Sequence, residues 1–136
     1  MINYNYECNF KLKDENQITT WIKKCIAKEK ASLSFINYIF CTDDYLYKLN
    51  TKFLKHYTYT DILTFDYSSN NRLSCDIFIS IDRIKDNTEK YVVNFYSELH
   101  RVMIHGVLHC LGYDDKTLIE KKNMRKKEEE LLNILN

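Results

Sequence analysis

Several things are missing from this 136-residue chain, and most of the absences exclude something. No apolar run reaches the roughly 18 residues that a membrane-spanning helix needs, so no transmembrane segment is expected. The opening stretch Met1-Ile2-Asn3-Tyr4-Asn5-Tyr6-Glu7 lacks the basic and apolar parts of a secretion signal, which points to the cytoplasm. No Cys-x-x-Cys pair occurs among Cys8, Cys25, Cys41, Cys75 and Cys110, and their number is odd. They are expected to be small buried hydrophobes in a reducing compartment rather than a disulfide or thiolate-metal framework. Strong charge of either sign is absent too. A net charge of +1 excludes a general nucleic-acid coat, so any such contact must be local. Proline is absent and glycine occurs twice; with 11 tyrosines and abundant Lys, Asn and Ile, this is background compositional bias and no function is drawn from it. No repeat, low-complexity segment or linker interrupts the chain, and residues 1–136 are read as one domain with a core of ordinary size.

What is present is a regular succession of patterns. Ile2, Tyr4, Tyr6, Cys8 and Phe10 alternate with polar residues as a first strand. Asp14-Glu15-Asn16-Gln17 has the form of a capping box, and Ile18, Trp21, Ile22, Cys25 and Ile26 follow as a helical stripe with Trp21 in the core. Leu33 to Cys41 predicts a second strand. Thr42 caps a helix with Leu46, Leu49 and Phe53 on its inner face, and Lys55 to Thr60 is a polar loop. Strands are expected over Asp61–Tyr67 and Leu73–Ile81, joined by the turn Ser68-Ser69-Asn70-Asn71. Helices follow: about Asp82–Tyr91, then a central one capped by Asn94 and running to Leu111, then one from near Thr117 through Leu132. The mixed charges Lys121-Lys122, Arg125-Lys126-Lys127 and Glu128-Glu129-Glu130 read as a solvated face of the last helix in preference to an RNA-binding patch. The fold class is α+β (mixed α/β), a four-stranded mixed sheet covered by helices.

The chemistry concentrates in His105-Gly106-Val107-Leu108-His109-Cys110-Leu111-Gly112-Tyr113-Asp114-Asp115. On a helix, His105 and His109 leave the same face one turn apart, in a stripe with Glu98 and Arg101. Gly112 can end the helix in a left-handed cap, and the returning chain can bring Asp114 or Asp115 over the histidines. Two imidazoles and a carboxylate make a divalent-metal site, most simply one Zn2+ ion with an open position. Cys110 lies about 100° further round the helix and faces away, and His100 is off the stripe and structural.

The spacing parallels the zincin peptidase motif His-Glu-x-x-His-x-x-Gly-x-x-His, with Asp115 as third ligand. Gly106 occupies the position of that motif's Glu, so the peptidase general base is missing and peptide hydrolysis is disfavoured.

The stretch resembles the signature His-Gly-x-Leu-His-Leu-x-Gly-Tyr-Asp-His of the YbeY family, bacterial rRNA-maturation endoribonucleases. The resemblance extends to Thr60-Asp61-Ile62-Leu63-Thr64-Phe65, which is similar to that family's Thr-Asp-Val-Leu-Ser-Phe, and to Cys75-Asp76-Ile77 for Gly-Asp-Ile. It implies a zincin-like metal helix and a metal-dependent, single-strand-specific endoribonuclease acting in 16S rRNA 3′-end maturation and ribosome quality control. Its implied partners are rRNA, the small ribosomal subunit and a small-subunit ribosomal protein, with no membrane. Three departures stand out. The third ligand is Asp115 rather than His, which lowers the charge of the site by one and should make bound water less acidic. The family's Arg, associated with catalysis or RNA backbone binding, falls on Leu54. Tyr59 replaces the usual Pro before Thr-Asp. The expected phosphate contacts are Lys55, His56 and Arg101, with Tyr57 or Tyr59 available to stack bases. The competing expectations are a non-cleaving small-subunit assembly factor with a structural zinc, and a zinc hydrolase of another substrate.

Overall fold

A computed structural model describes residues 1–56 and 59–135. Along the chain, β1 (Ile2–Tyr6), α1 (Glu15–Lys28), β2 (Ser32–Cys41), α2 (Asp43–Leu54), β3 (Ile62–Asp66) and β4 (Arg72–Ser80) are followed by α3 (Ile81–Tyr91), α4 (Phe95–Cys110) and α5 (Leu118–Leu135). The strands form one mixed sheet in the order β1-β2-β4-β3. β1, β2 and β4 are parallel neighbours, and β3 closes the edge antiparallel to β4. No helix among the described residues is long and apolar enough to cross a membrane.

Alternation decides which face is buried. Ile36, Tyr38 and Phe40 of β2, with Cys75, Ile77 and Ile79 of β4, are all fully buried in the main core, packed with α1, α3, α4 and α5. The expected α1 stripe of Ile18, Trp21, Ile22, Cys25 and Ile26 is buried as read. Trp21 is core, and its indole N–H donates to the carbonyl of Leu131 on α5 at 2.8 Å. The opposite face of the sheet is covered only in part, by α2 over Leu63 and Phe78, around a smaller cluster of Cys41 and Leu46. Beyond α2 that face carries polar side chains, with Asn3, Asn37 and Asp76 bonded in series across three strands.

Local expectations fail in four places. Asp14 takes a left-handed conformation (φ 60) and makes no side-chain cap bond. The turn is tied instead through Tyr6, whose hydroxyl donates to Glu15 Oε2 at 2.6 Å and accepts from Leu12 N at 3.0 Å. Cys8 and Phe10 continue the buried alternation without being part of β1. Phe53 is 55% exposed rather than an inner residue, because the end of α2 reaches only the edge strand, where the Phe65 ring lies 6.0 Å away. Ile81 leaves the strand to open α3, capped by Ser80, whose hydroxyl accepts from Arg83 N at 3.2 Å.

Candidate metal centre

The site is built on α4. Asn94 starts the helix, its side chain accepting from the backbone of Tyr96 and Ser97. Leu99, Val102, Met103, Val107 and Leu108 are buried, fixing how the helix is rotated on the sheet. Gly106 sets how closely it approaches: an added Cβ would lie 3.0 Å from Ile62 Cδ1 and 3.1 Å from Ile77 Cδ1. The residue after His105 therefore faces the sheet core, so Gly106 is a packing requirement as well as the loss of a base. Cys110 is buried and turned from the histidines, as read. His100 is packed between Trp21 and Tyr96, with burial lowering its pKa.

On the other side of α4 the two imidazoles converge, with His105 Nε2 3.0 Å from His109 Nε2. Gly112 (φ 102) ends the helix as expected. Its N–H donates to His109 O at 3.0 Å and that of Tyr113 to Leu108 O at 3.0 Å, a Schellman pair that turns the chain back. The Tyr113 hydroxyl donates to Glu29 at the end of α1, and Lys127 of α5 joins the same carboxylate at 3.3 Å. So held, the turn delivers Asp115, with Oδ2 3.3 Å from His105 Nε2 and Oδ1 3.7 Å from His109 Nε2.

These three residues can hold a metal ion: one donor atom from each lies within 4.8 Å of the others. Tetrahedral zinc with bonds near 2.0–2.1 Å spaces its ligand atoms about 3.3 Å apart; here the contacts run from 3.0 to 3.7 Å, with Asp115 facing the two histidines through its two different oxygens. All three side chains retain some exposure, His109 31% and Asp115 37%, which leaves an approach for a fourth ligand. The exposed Asp114 is not part of this group.

Glu128 was missed as a site residue. Read from sequence as part of a solvated run, it is 2% exposed, and its Oε2 lies 2.6 Å from His105 Nδ1. A carboxylate there accepts a hydrogen bond from Nδ1–H, which keeps the proton on Nδ1 and leaves the Nε2 lone pair free to bind metal. Burial alone would raise the Glu128 pKa; the His105 hydrogen bond and the Arg101 charge outweigh it and hold the pKa below the ordinary value. The signal was present in the sequence: Glu128 sits on the core stripe of α5, four residues after buried Met124 and three before buried Leu131.

The other expected residues fall into two groups. Arg101 is beside the histidines but already engaged: Nε and Nη2 donate to the two oxygens of Glu98 at 2.8 and 2.9 Å, and Nη1 donates to Glu128 at 3.2 Å. Lys55 and His56 are exposed at the start of the connection from α2, next to Leu54. That connection ends at Asp61, close enough to the site to feel Arg101 and His105; its burial outweighs their pull and raises its pKa. Tyr59 is 54% exposed, with its ring 4.9 Å from that of Tyr47, and Tyr57 lies outside the described residues.

The family model described as Endoribonuclease YbeY matches residues 3–136. The chain belongs to the YbeY endoribonuclease family. An Endoribonuclease YbeY from Flavobacterium johnsoniae is 47% identical over 130 residues, covering 96% of this chain and 94% of the relative. Another YbeY, from Flavobacterium psychrophilum, is 45% identical over 134 residues, covering 98% and 96%. The fold is also that of TM1509 from Thermotoga maritima, known from a solution structure, with a TM-score of 0.71 at 24% identity over 99% of this chain and 89% of that one. The family match spans the helix and turn that carry the His105, His109 and Asp115 cluster.

Proposed function

We propose that this chain is a zinc-dependent endoribonuclease that cuts single-stranded rRNA in the cytoplasm, in 16S 3′-end maturation and ribosome quality control on the small subunit. The observation that carries the metal chemistry is the convergence of His105, His109 and Asp115 at zinc-like spacing. The relatives' activity as YbeY endoribonucleases supports RNA as the substrate.

Zinc held there supplies Lewis-acid polarisation of a water and of the scissile phosphate. The protein's own groups do the rest. Glu128 keeps His105 in the Nδ1–H tautomer and Nε2 aimed at the site. Gly106 offers no proton acceptor beside His105, which disfavours the peptidase route. Lys55 and His56 bind backbone phosphates from the α2–β3 connection, and Arg101 contributes through the donors that Glu98 and Glu128 leave unused.

One observation favours a second reading. Leu54, 43% exposed, stands where the family signature has Arg. A protein lacking that cation can bind rRNA or a small-subunit ribosomal protein without cutting, its zinc being structural.

Elemental analysis of purified protein is expected to give one zinc per chain, lost in Asp115→Ala; full retention refutes the ligand set. Zinc-loaded protein is expected to cut single-stranded rRNA fragments, and cleavage that survives His105→Ala refutes the mechanism. Depletion in cells followed by mapping of small-subunit rRNA ends separates the two readings. Rescue by wild type but not by His105→Ala supports the enzyme, and rescue by both supports the binding factor.

A further inference from the structure

Beyond Lys55 and His56 on the α2–β3 connection, the described residues around the metal centre offer little free positive charge for a ligand that carries one negative charge per nucleotide. Arg101 is engaged by two carboxylates, Leu54 supplies no cation, and Asp61, Glu98 and Glu128 add negative charge around the site. α5 provides another source. The chain leaves α4 at Cys110, turns at Gly112 and packs back along α4, so that Glu128 meets Arg101 and His105. One turn back along α5 from Glu128, toward the turn that carries Asp115, lies Arg125. Its Nη1 is 3.8 Å from Glu128 Oε1, a long ion pair, and its side chain is 59% exposed. It thus borders the metal ligands through Glu128 and keeps most of its donors for a ligand.

We propose that Arg125 is a phosphate-binding residue of this site, reaching the backbone of single-stranded RNA from the α5 rim and supplying the cation absent at Leu54. Lys121, seven residues before Glu128, extends the same helical face and takes the next phosphate. A planar guanidinium suits this task, because it can give two parallel hydrogen bonds to one phosphate. Lys127 differs: it points to α1, paired with Glu29, and is not part of this face. The inference rests on RNA being the ligand of the site.

The test uses zinc-loaded full-length protein and a single-stranded RNA oligonucleotide, with binding followed on ice by fluorescence anisotropy across a salt series. Zinc affinity is measured in parallel by chelator competition. Arg125→Ala is expected to weaken RNA binding about tenfold, the lower range for a charge-assisted contact. It should also lower the salt slope by about 0.7, the value for one phosphate on a single strand. Arg125→Lys should keep the slope and lose less affinity. Lys126→Ala, an exposed change on a neighbouring face, should behave as wild type, and zinc affinity should be unchanged in all three. RNA binding by Arg125→Ala equal to wild type overturns the proposal, as does a loss matched by Lys126→Ala. A fall in zinc affinity in Arg125→Ala also overturns it, assigning Arg125 to the support of Glu128. A wild-type protein that binds no RNA overturns the functional reading and this inference together; wild-type binding with an unaffected Arg125→Ala overturns this inference alone.

Discussion

Glu128 provides the sharpest test of how the candidate metal centre is built. Replacing it with Gln keeps the shape, removes the charge and leaves a weaker acceptor for His105 Nδ1. Replacing it with Ala removes the acceptor altogether. The wild-type contact is 2.6 Å long and buried, with a carboxylate held ionised by His105 and Arg101. Loss of such an outer partner of a ligating histidine typically lowers metal affinity 10–100-fold, or roughly 1.4–2.7 kcal/mol. Glu128→Ala should fall near the upper end and Glu128→Gln near the lower. Arg101 keeps its paired bonds to Glu98 in both variants, so the guanidinium is not stranded and the fold should survive. Competition with a chromophoric chelator measures the affinity, and circular dichroism checks the fold. Nitrogen chemical shifts of the imidazoles report the tautomer: wild-type His105 should carry its proton on Nδ1, and Glu128→Ala should show a mixture. A folded Glu128→Ala protein with wild-type zinc affinity and an unchanged His105 tautomer would refute the reasoning.

Gly112→Ala places a Cβ in a left-handed backbone with open space around it, so the cost is conformational, about 1–2 kcal/mol. Chemical denaturation should show that loss, and zinc affinity should fall with it because the turn carries Asp115. Gly106→Ala pushes the tips of Ile62 and Ile77; crowding of about 1–3 kcal/mol, less the helix propensity gained, should leave a net loss near 1 kcal/mol in the same assay. Acid should destabilise the fold through Asp43, whose pKa burial would raise but whose bonds to Arg83 and Ser80 hold it down. A carboxylate depressed in the folded state stabilises above its unfolded pKa, near 4, and loses that contribution as pH falls through its folded value. The gap in urea midpoint between wild type and Asp43→Asn should therefore be full at pH 7 and narrow below about pH 4; a constant gap would exclude the linkage.

What the sequence disclosed was set by local rules. The α1 stripe, the Asn94 cap and the Gly112 stop each follow from residues a turn apart, and each is found as read. The His105, His109 and Asp115 group was legible for the same reason, since all three lie within eleven residues of one chain segment. Phe53 was misread because periodicity cannot tell where a neighbouring sheet ends. Glu128 was misread because its charge matched the flanking residues, while its environment depends on α5 folding back onto α4. Arg101 carried the correct position, but its engagement by Glu98 and Glu128 needed that same tertiary contact.

The division of the candidate ligands between a helix and a turn has a consequence for how such a centre can change over time. His105 and His109 are locked by the packing of α4, and altering the helix disturbs the whole core. Asp115 lies beyond the helix end, partly exposed, on a turn whose shape depends on Gly112 and Tyr113. Its side chain can be exchanged for another ligand without repacking anything beneath it. At this candidate centre the identity of the third ligand is thereby separable from foldability: a single substitution at position 115 should change which ion fits while the scaffold stays the same.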